Sequence, residues 1–193
     1  MRRAVWLGMV RRGLLILVLS TGIAVVLFHF VFQPFQVAGL SMSPTLGDRD
    51  YLLVDRVFFR EGSLNRGDLV VFNLPGDPRY LVKRIAGLPG EKIAIRNGRV
   101  VIDGRLLPRD EFAGFPEEDF GPVTLDGSHY FCLGDNPRVS LDSRTLGPID
   151  RSAIYGRVLL RYLPMRKPVF LGERPAGGQP ANGLASGSHE VPR

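Results

Sequence analysis

The sequence predicts a mostly β protein: a compact antiparallel β-barrel-like domain preceded by one N-terminal transmembrane helix. Three observations carry this expectation. Gly13 to Phe32 is a run of twenty residues without charge if His29 is neutral, short β-branched and aromatic runs follow it, and no long amphipathic helix interrupts them. Parallel strands would need crossover helices, so an antiparallel sheet accounts better for the pattern.

At about 1.5 Å per residue, the apolar run matches a hydrocarbon core of roughly 30 Å. Arg2, Arg3, Arg11 and Arg12 precede it without an acid among them. That bias predicts a cytoplasmic segment at 1–12, a span at 13–32, and an extracytoplasmic domain at 33–172. A cleaved signal peptide is the competing reading, but its apolar region is normally about 7 to 15 residues and "VFQPFQVAG" offers only a weak cleavage site.

In chain order the expected strands are "DYLLVDRVFF", "DLVVFNL", "YLVKRIAGL", "EKIAIRNGRVVIDGRLL", "HYFCLGD" and "AIYGRVLLRYL". Asn97-Gly98 and Asp103-Gly104 mark tight hairpins, since these residues accept positive φ. The acidic, turn-rich stretch 108–122 reads as a surface loop. From Glu173 the chain has few large apolar residues, so 173–193 reads as a disordered tail.

Composition narrows the function. The formal charge is +6 and the pI near 10, yet setting aside the four leading arginines leaves 21 basic against 19 acidic residues. No basic stripe interleaved with aromatics remains, so nucleic acid is not an expected partner. Cys132 is the one cysteine, which excludes an internal disulfide and a cysteine metal cluster. It reads as a small buried strand residue. No metal or cofactor is expected.

Three histidines make a Ser-His-Asp hydrolase the first class to weigh. His29 sits in the apolar run and His189 in the tail, leaving His129 to serve Ser41 or Ser140 with Asp135; in "SHYF" it reads more simply as a strand residue. Lysine usage points elsewhere: the chain has 22 arginines and three lysines, Lys83, Lys92 and Lys167. A general base must shed its proton near neutral pH, which a desolvated amine can do and a guanidinium cannot. Strand alternation puts Leu81, Lys83 and Ile85 on one face, a costly place for an amine unless it is neutral or paired. Snorkelling to solvent is the alternative. Ser41 lies in the proline-containing loop "GLSMSPTL", just beyond the apolar run, where a hydroxyl could be held beside a base. Residues 133–149, "LGDNPRVSLDSRTLGPI", gather Asp135, Ser140, Asp142 and Arg144. Either they form a turn with an internal ion pair, or they brace a site.

Taken together, these stretches resemble the type I bacterial signal peptidases, membrane serine endopeptidases with a Ser/Lys dyad. "SMSPTL" is similar to the nucleophile box, "RGDLVVF" to the next, "KRIAGLPGE" to the lysine box and "GDNPRVSLDSR" to the last, in matching order over roughly residues 10–163. The resemblance implies Ser41 as nucleophile, Lys83 as general base, Ser140 as hydrogen-bond partner of the amine, and Asp142 with Arg144 as a supporting ion pair. Met42 and Pro44 would shape the loop, and Gly134 and Asp135 open the last box. Some members carry a hydroxyl residue two positions before the nucleophile; Gly39 stands there, so backbone N–H groups would have to stabilise the oxyanion. Pro137 and Val139 replace residues more often polar. Beside members with a large inserted β domain, the 50 residues from Ile85 to Gly134 imply only a minimal accessory insertion, over about 87–130.

The implied activity is cleavage of signal peptides from translocated preproteins after small residues. Preproteins, membrane lipid and the secretion translocon are the implied partners, at the plasma membrane. Phe35, Val37, Leu40 and Met42 are expected to rest in the lipid interface. Three other readings stand: a related Ser/Lys peptidase for conjugation or surface proteins, a noncatalytic anchored β-domain that binds exported proteins, and a DNA-coupled autoprotease, disfavoured by the apolar run.

Overall fold

The computed structural model describes residues 2–62, 64–107, 112, 115, 119–164 and 169–170. The tail expected from Glu173 lies outside them. Helix α1 (Arg2–Val31) contains a span, Arg11–Val31, long and apolar enough to cross a membrane, with none of it buried against the rest of the chain. The helix stops one residue earlier than the apolar run. Phe32 already begins strand β1 (Phe32–Gln36), paired with Asp55 of β2 (Tyr51–Asp55).

The remaining strands are β3 (Leu69–Asn73), β4 (Tyr80–Gly87), β5 (Lys92–Arg96), β6 (Arg99–Ile102), β7 (Arg105–Leu106), β8 (Phe120–Thr124), β9 (His129–Leu133), β10 (Ile149–Asp150), β11 (Ile154–Leu163) and β12 (Val169–Phe170). All pairings are antiparallel. Two sheets build the barrel-like body. The larger runs β1-β2-β11-β3-β4-β9-β10 with β12 on β11, and the smaller runs β7-β6-β5-β8.

Strand β3 shows why its sequence is apolar without alternation. Val70 and Phe72 pack into one core with Ile85 and Cys132, while Leu69 and Val71 pack into another with Met42, Leu46, Leu52 and Val54. A strand buried on both faces needs apolar residues at every position. A third core joins the small sheet to the large one through Ile93, Ile95, Val100, Leu125, Ala86 and Phe131. The two predicted hairpin turns have the required positive φ, at 48° and 67° for Asn97 and Gly98 and at 50° and 80° for Asp103 and Gly104.

Two expectations need correction. The run "DYLLVDRVFF" does not continue as strand, because the Asp55 carboxylate accepts the N–H groups of Val57 and Phe58 at 2.9 and 2.8 Å. That turn starts the short helix α2 (Phe58–Glu61). Nor is 108–122 simply a surface loop where it is described: Phe112 and Phe115 are buried in the third core, and Phe120–Thr124 pairs with β5. The acidic residues masked the aromatic spacing that carries the packing.

Candidate active site

The loop containing Ser41 is closed at its mouth by two backbone hydrogen bonds, Val37 N–H to Asp50 O at 2.8 Å and Arg49 N–H to Val37 O at 2.9 Å. Its inner side is anchored by Met42 and Leu46, both fully buried, with one helical hydrogen bond from Leu46 N–H to Met42 O at 2.8 Å. Pro44 points outward and is exposed. Gly39 has φ of 94° and donates its N–H to Asp48 Oδ1 at 2.8 Å. A Cβ there would meet nothing within 4 Å, so backbone conformation and not crowding calls for glycine.

Lys83 arrives from β4. It is cross-strand partner to Val70, and its alternation neighbours Leu81 and Ile85 belong to the same core, as the strand periodicity requires. The side chain is buried, with 2% exposure, rather than snorkelling to solvent. Its Nζ is hydrogen-bonded to Ser41 Oγ at 2.8 Å. Burial lowers the pKa of the amine below the ordinary lysine value, against opposing pulls from Asp142, the Cys132 sulfur and Asp135. Desolvation disfavours the ammonium form, which is the condition for a lysine to accept a proton.

The last stretch packs directly against the Ser41 loop. Asn136 N–H donates to Ser41 O at 2.9 Å, and Asn136 Nδ2 to Leu40 O at 3.2 Å. Gly134 fills the contact: a Cβ at that position would come within 2.1 Å of Ser140 Oγ and 2.7 Å of Ser41 O. Asp142 is fully buried and receives Gly134 N–H at 3.0 Å, Arg144 Nε at 2.8 Å and Arg144 Nη2 at 2.9 Å. It also caps the short helix α3 (Ser143–Leu146), and Arg144 continues to Pro137 O at 2.8 Å. The ion pair therefore fixes both ends of the loop around Ser140.

Ser140 itself departs from expectation. Its Oγ is buried and has no hydrogen-bond partner among the described residues, and Lys83 Nζ bonds to Ser41 and not to it. His129 is also away from this chemistry. Its Nδ1 contacts Asp126 Oδ1 at 2.6 Å and Ser128 Oγ at 3.1 Å, and neither Ser41 nor Ser140.

One residue was passed over in the sequence. Arg84, next to Lys83 but facing the opposite side of β4, binds Asp135 through Nε at 2.8 Å and Nη2 at 2.6 Å. Its Nη1 donates to Gly67 O at 2.8 Å. The signal was present, since an arginine between apolar neighbours needs a carboxylate and Asp135 opens the last box. A second brace runs from Arg66 to Glu91 at 2.5 Å and to Ala86 O, tying the "RGD" turn to the end of the lysine strand.

An apolar helix running into an antiparallel β body, with a serine hydroxyl held against a buried amine, has the build of a membrane-anchored serine hydrolase. The family model for signal peptidase, peptidase S26, matches residues 10–163. Signal peptidase I S of Bacillus subtilis is 35% identical over 163 residues, covering 78% of this chain and 88% of that one. Signal peptidase I of Leptolyngbya laminosa is 31% identical over 166 residues, covering 82% of each. A crystal structure of a signal peptidase I from Enterococcus faecalis aligns with a TM-score of 0.44 and 26% identity, covering 49% of this chain and 96% of that one. By the family model and the two sequence relatives, the chain belongs to the signal peptidase family, peptidase S26, and is a serine endopeptidase.

Proposed function

We propose that the chain removes signal peptides from translocated preproteins, with Ser41 as nucleophile and Lys83 as general base. The observation that carries this reading is the 2.8 Å contact between Ser41 Oγ and a Lys83 amine that burial inclines to the neutral form. Neutral Lys83 takes the hydroxyl proton as Ser41 Oγ attacks the carbonyl after the last signal-peptide residue. The resulting ammonium gives that proton to the leaving amide nitrogen, releasing the mature protein and leaving an ester on Ser41. Lys83 then deprotonates a water that attacks the ester, and the ammonium returns the proton to Ser41 Oγ as the ester C–O bond breaks and the signal peptide is freed.

Ser41 N–H has no acceptor within the described residues, which leaves it for the oxyanion, whereas Gly39 N–H is held by Asp48. Asp142, Arg144, Gly134, Asp135 and Arg84 act as positioning residues. Met42 anchors the loop and Pro44 borders it on the outside. Ser140, whose hydroxyl has no partner among the described residues, turns toward the amine in this reading as the proton moves. No step requires a metal or cofactor.

In this reading residues 1–12 are cytoplasmic, α1 spans the plasma membrane once, and the β body to residue 172 is extracytoplasmic with the small sheet as its accessory part. Ser41, nine residues past Phe32, then stands near the outer surface, where tethered preproteins present their cleavage sites. Of the four residues expected in the lipid interface, Val37 and Met42 are instead committed to the core, because they hold the Ser41 loop; Leu40 is exposed and Phe35 is half-buried. The test is cleavage of a detergent-solubilised preprotein by wild type, Ser41→Ala and Lys83→Met. Full activity in either variant overturns the dyad; loss in both, with folding intact, supports it.

A further inference from the structure

We propose that the junction between α1 and the β body binds one anionic phospholipid, an inference that rests on reading α1 as a membrane span. Val25, Val26, His29 and Phe30 share one face of the helix and, with Arg56, line a cleft of about 420 Å³ at its outer end. Arg56 is fixed there by the backbone, because its N–H donates to Val31 O at 3.0 Å. The end of the apolar span and the guanidinium therefore keep a constant relation.

The guanidinium stacks over the Tyr155 ring, 4.7 Å from its centroid. Stacking occupies the flat face of the fork and leaves the edge N–H groups available. Among the described residues those groups donate to nothing and meet no carboxylate, whereas Arg66, Arg79, Arg84, Arg144 and Arg161 are each paired with one. Arg60 adds a second cation at the same corner, its Nε donating to Arg56 O at 3.3 Å.

These features specify a ligand. The cleft has an apolar floor of valine and phenylalanine, exposed on a helix that lies in lipid, and a rim carrying a guanidinium and an imidazole. Acyl chains fit the floor, and a phosphate at the edge of the hydrocarbon layer meets the open edge of Arg56 and the ring N–H of His29. A headgroup with net negative charge offsets one of the two cations at this corner; a zwitterionic one sets its own cation against Arg56 and Arg60. The bound lipid would fix the tilt of the body against the bilayer, and with it the height of Ser41.

The test uses the full-length protein in detergent, titrated with phosphatidylglycerol or phosphatidylcholine, with bound lipid counted by native mass spectrometry. Wild type should hold one phosphatidylglycerol about tenfold more tightly than phosphatidylcholine. Arg56→Gln should lose that preference, Arg56→Lys should keep at least half of it, and Arg60→Gln should change it less than about twofold. Equal binding of the two lipids, an unaltered preference in Arg56→Gln, or equal loss in Arg56→Gln and Arg56→Lys overturns the proposal. Reconstitution and flotation with vesicles of each lipid separates the two readings. Wild type that floats with both vesicles yet shows no preference removes this site alone, whereas wild type that enters neither removes the membrane span and this site together.

Discussion

Lys83 Nζ and Ser41 Oγ lie 2.8 Å apart although 42 positions separate them in the chain. One is held by strand β4, which pairs with β3 and then with β9, and the other by a loop nailed to the core through Met42 and Leu46. Preorganisation of this kind removes the entropic cost of bringing base and nucleophile together at the moment of reaction.

The buried amine should cost stability. A lysine whose folded pKa is lowered binds fewer protons folded than unfolded, so the penalty is complete below its folded pKa and fades as pH rises toward 10.5. Lys83→Met should therefore unfold at higher temperature than wild type near neutral pH, by on the order of 1 kcal/mol, with the difference shrinking at alkaline pH. Thermal melts of the two proteins from pH 6 to pH 10.5 check both the sign and the trend.

Gly134→Ala should damage activity more than folding. Its Cβ would press on Ser140 Oγ and Ser41 O, and a displacement of the Ser41 loop by part of an ångström is enough to reduce kcat about 100-fold. Overpacking should cost about 1 to 3 kcal/mol. Steady-state kinetics beside a denaturant titration measures both, and near-normal kcat would show that the loop tolerates the shift.

Breaking the Arg84–Asp135 pair should be expensive, because both side chains are about nine-tenths buried. Asp135→Ala strands the Arg84 guanidinium and should cost about 3 to 5 kcal/mol. Replacing both residues together should cost less than the sum of the single changes, a coupling that a double-mutant cycle reads directly.

Ser140→Ala separates positioning from structure. The hydroxyl has no partner among the described residues, so its removal should leave stability within about 0.5 kcal/mol. If it turns to the amine as the proton moves, kcat should fall about tenfold with KM nearly unchanged. An unchanged kcat would assign Ser140 to packing alone.

Much of this architecture was legible in the sequence for identifiable reasons. The apolar span, the paired hairpin turns and the alternation placing Lys83 between Leu81 and Ile85 are local signals, and local physics decides them. What the sequence concealed depended on partners far along the chain. Strand β8, Phe-Gly-Pro-Val-Thr, carries a glycine and a proline and follows an acidic stretch, and it exists because β5 has an edge to fill. Arg84 looked like an ordinary charge until β9 and the loop after it brought Asp135 opposite. Ser140 shows the reverse case, where a position in a motif suggested a hydrogen bond that the resting geometry does not make.

The central claim is that Lys83 is the amine made basic-catalyst by burial, and the chain's scarcity of lysine makes this directly measurable. With lysine-selective 13C and 15N labelling, the three residues Lys83, Lys92 and Lys167 give three side-chain signals, assigned by Lys92→Arg and Lys167→Arg. The account predicts that the Lys83 signal, the one absent in Lys83→Met, titrates clearly below the ordinary lysine value of 10.5. A Lys83 signal titrating at 10.5 or above would contradict it.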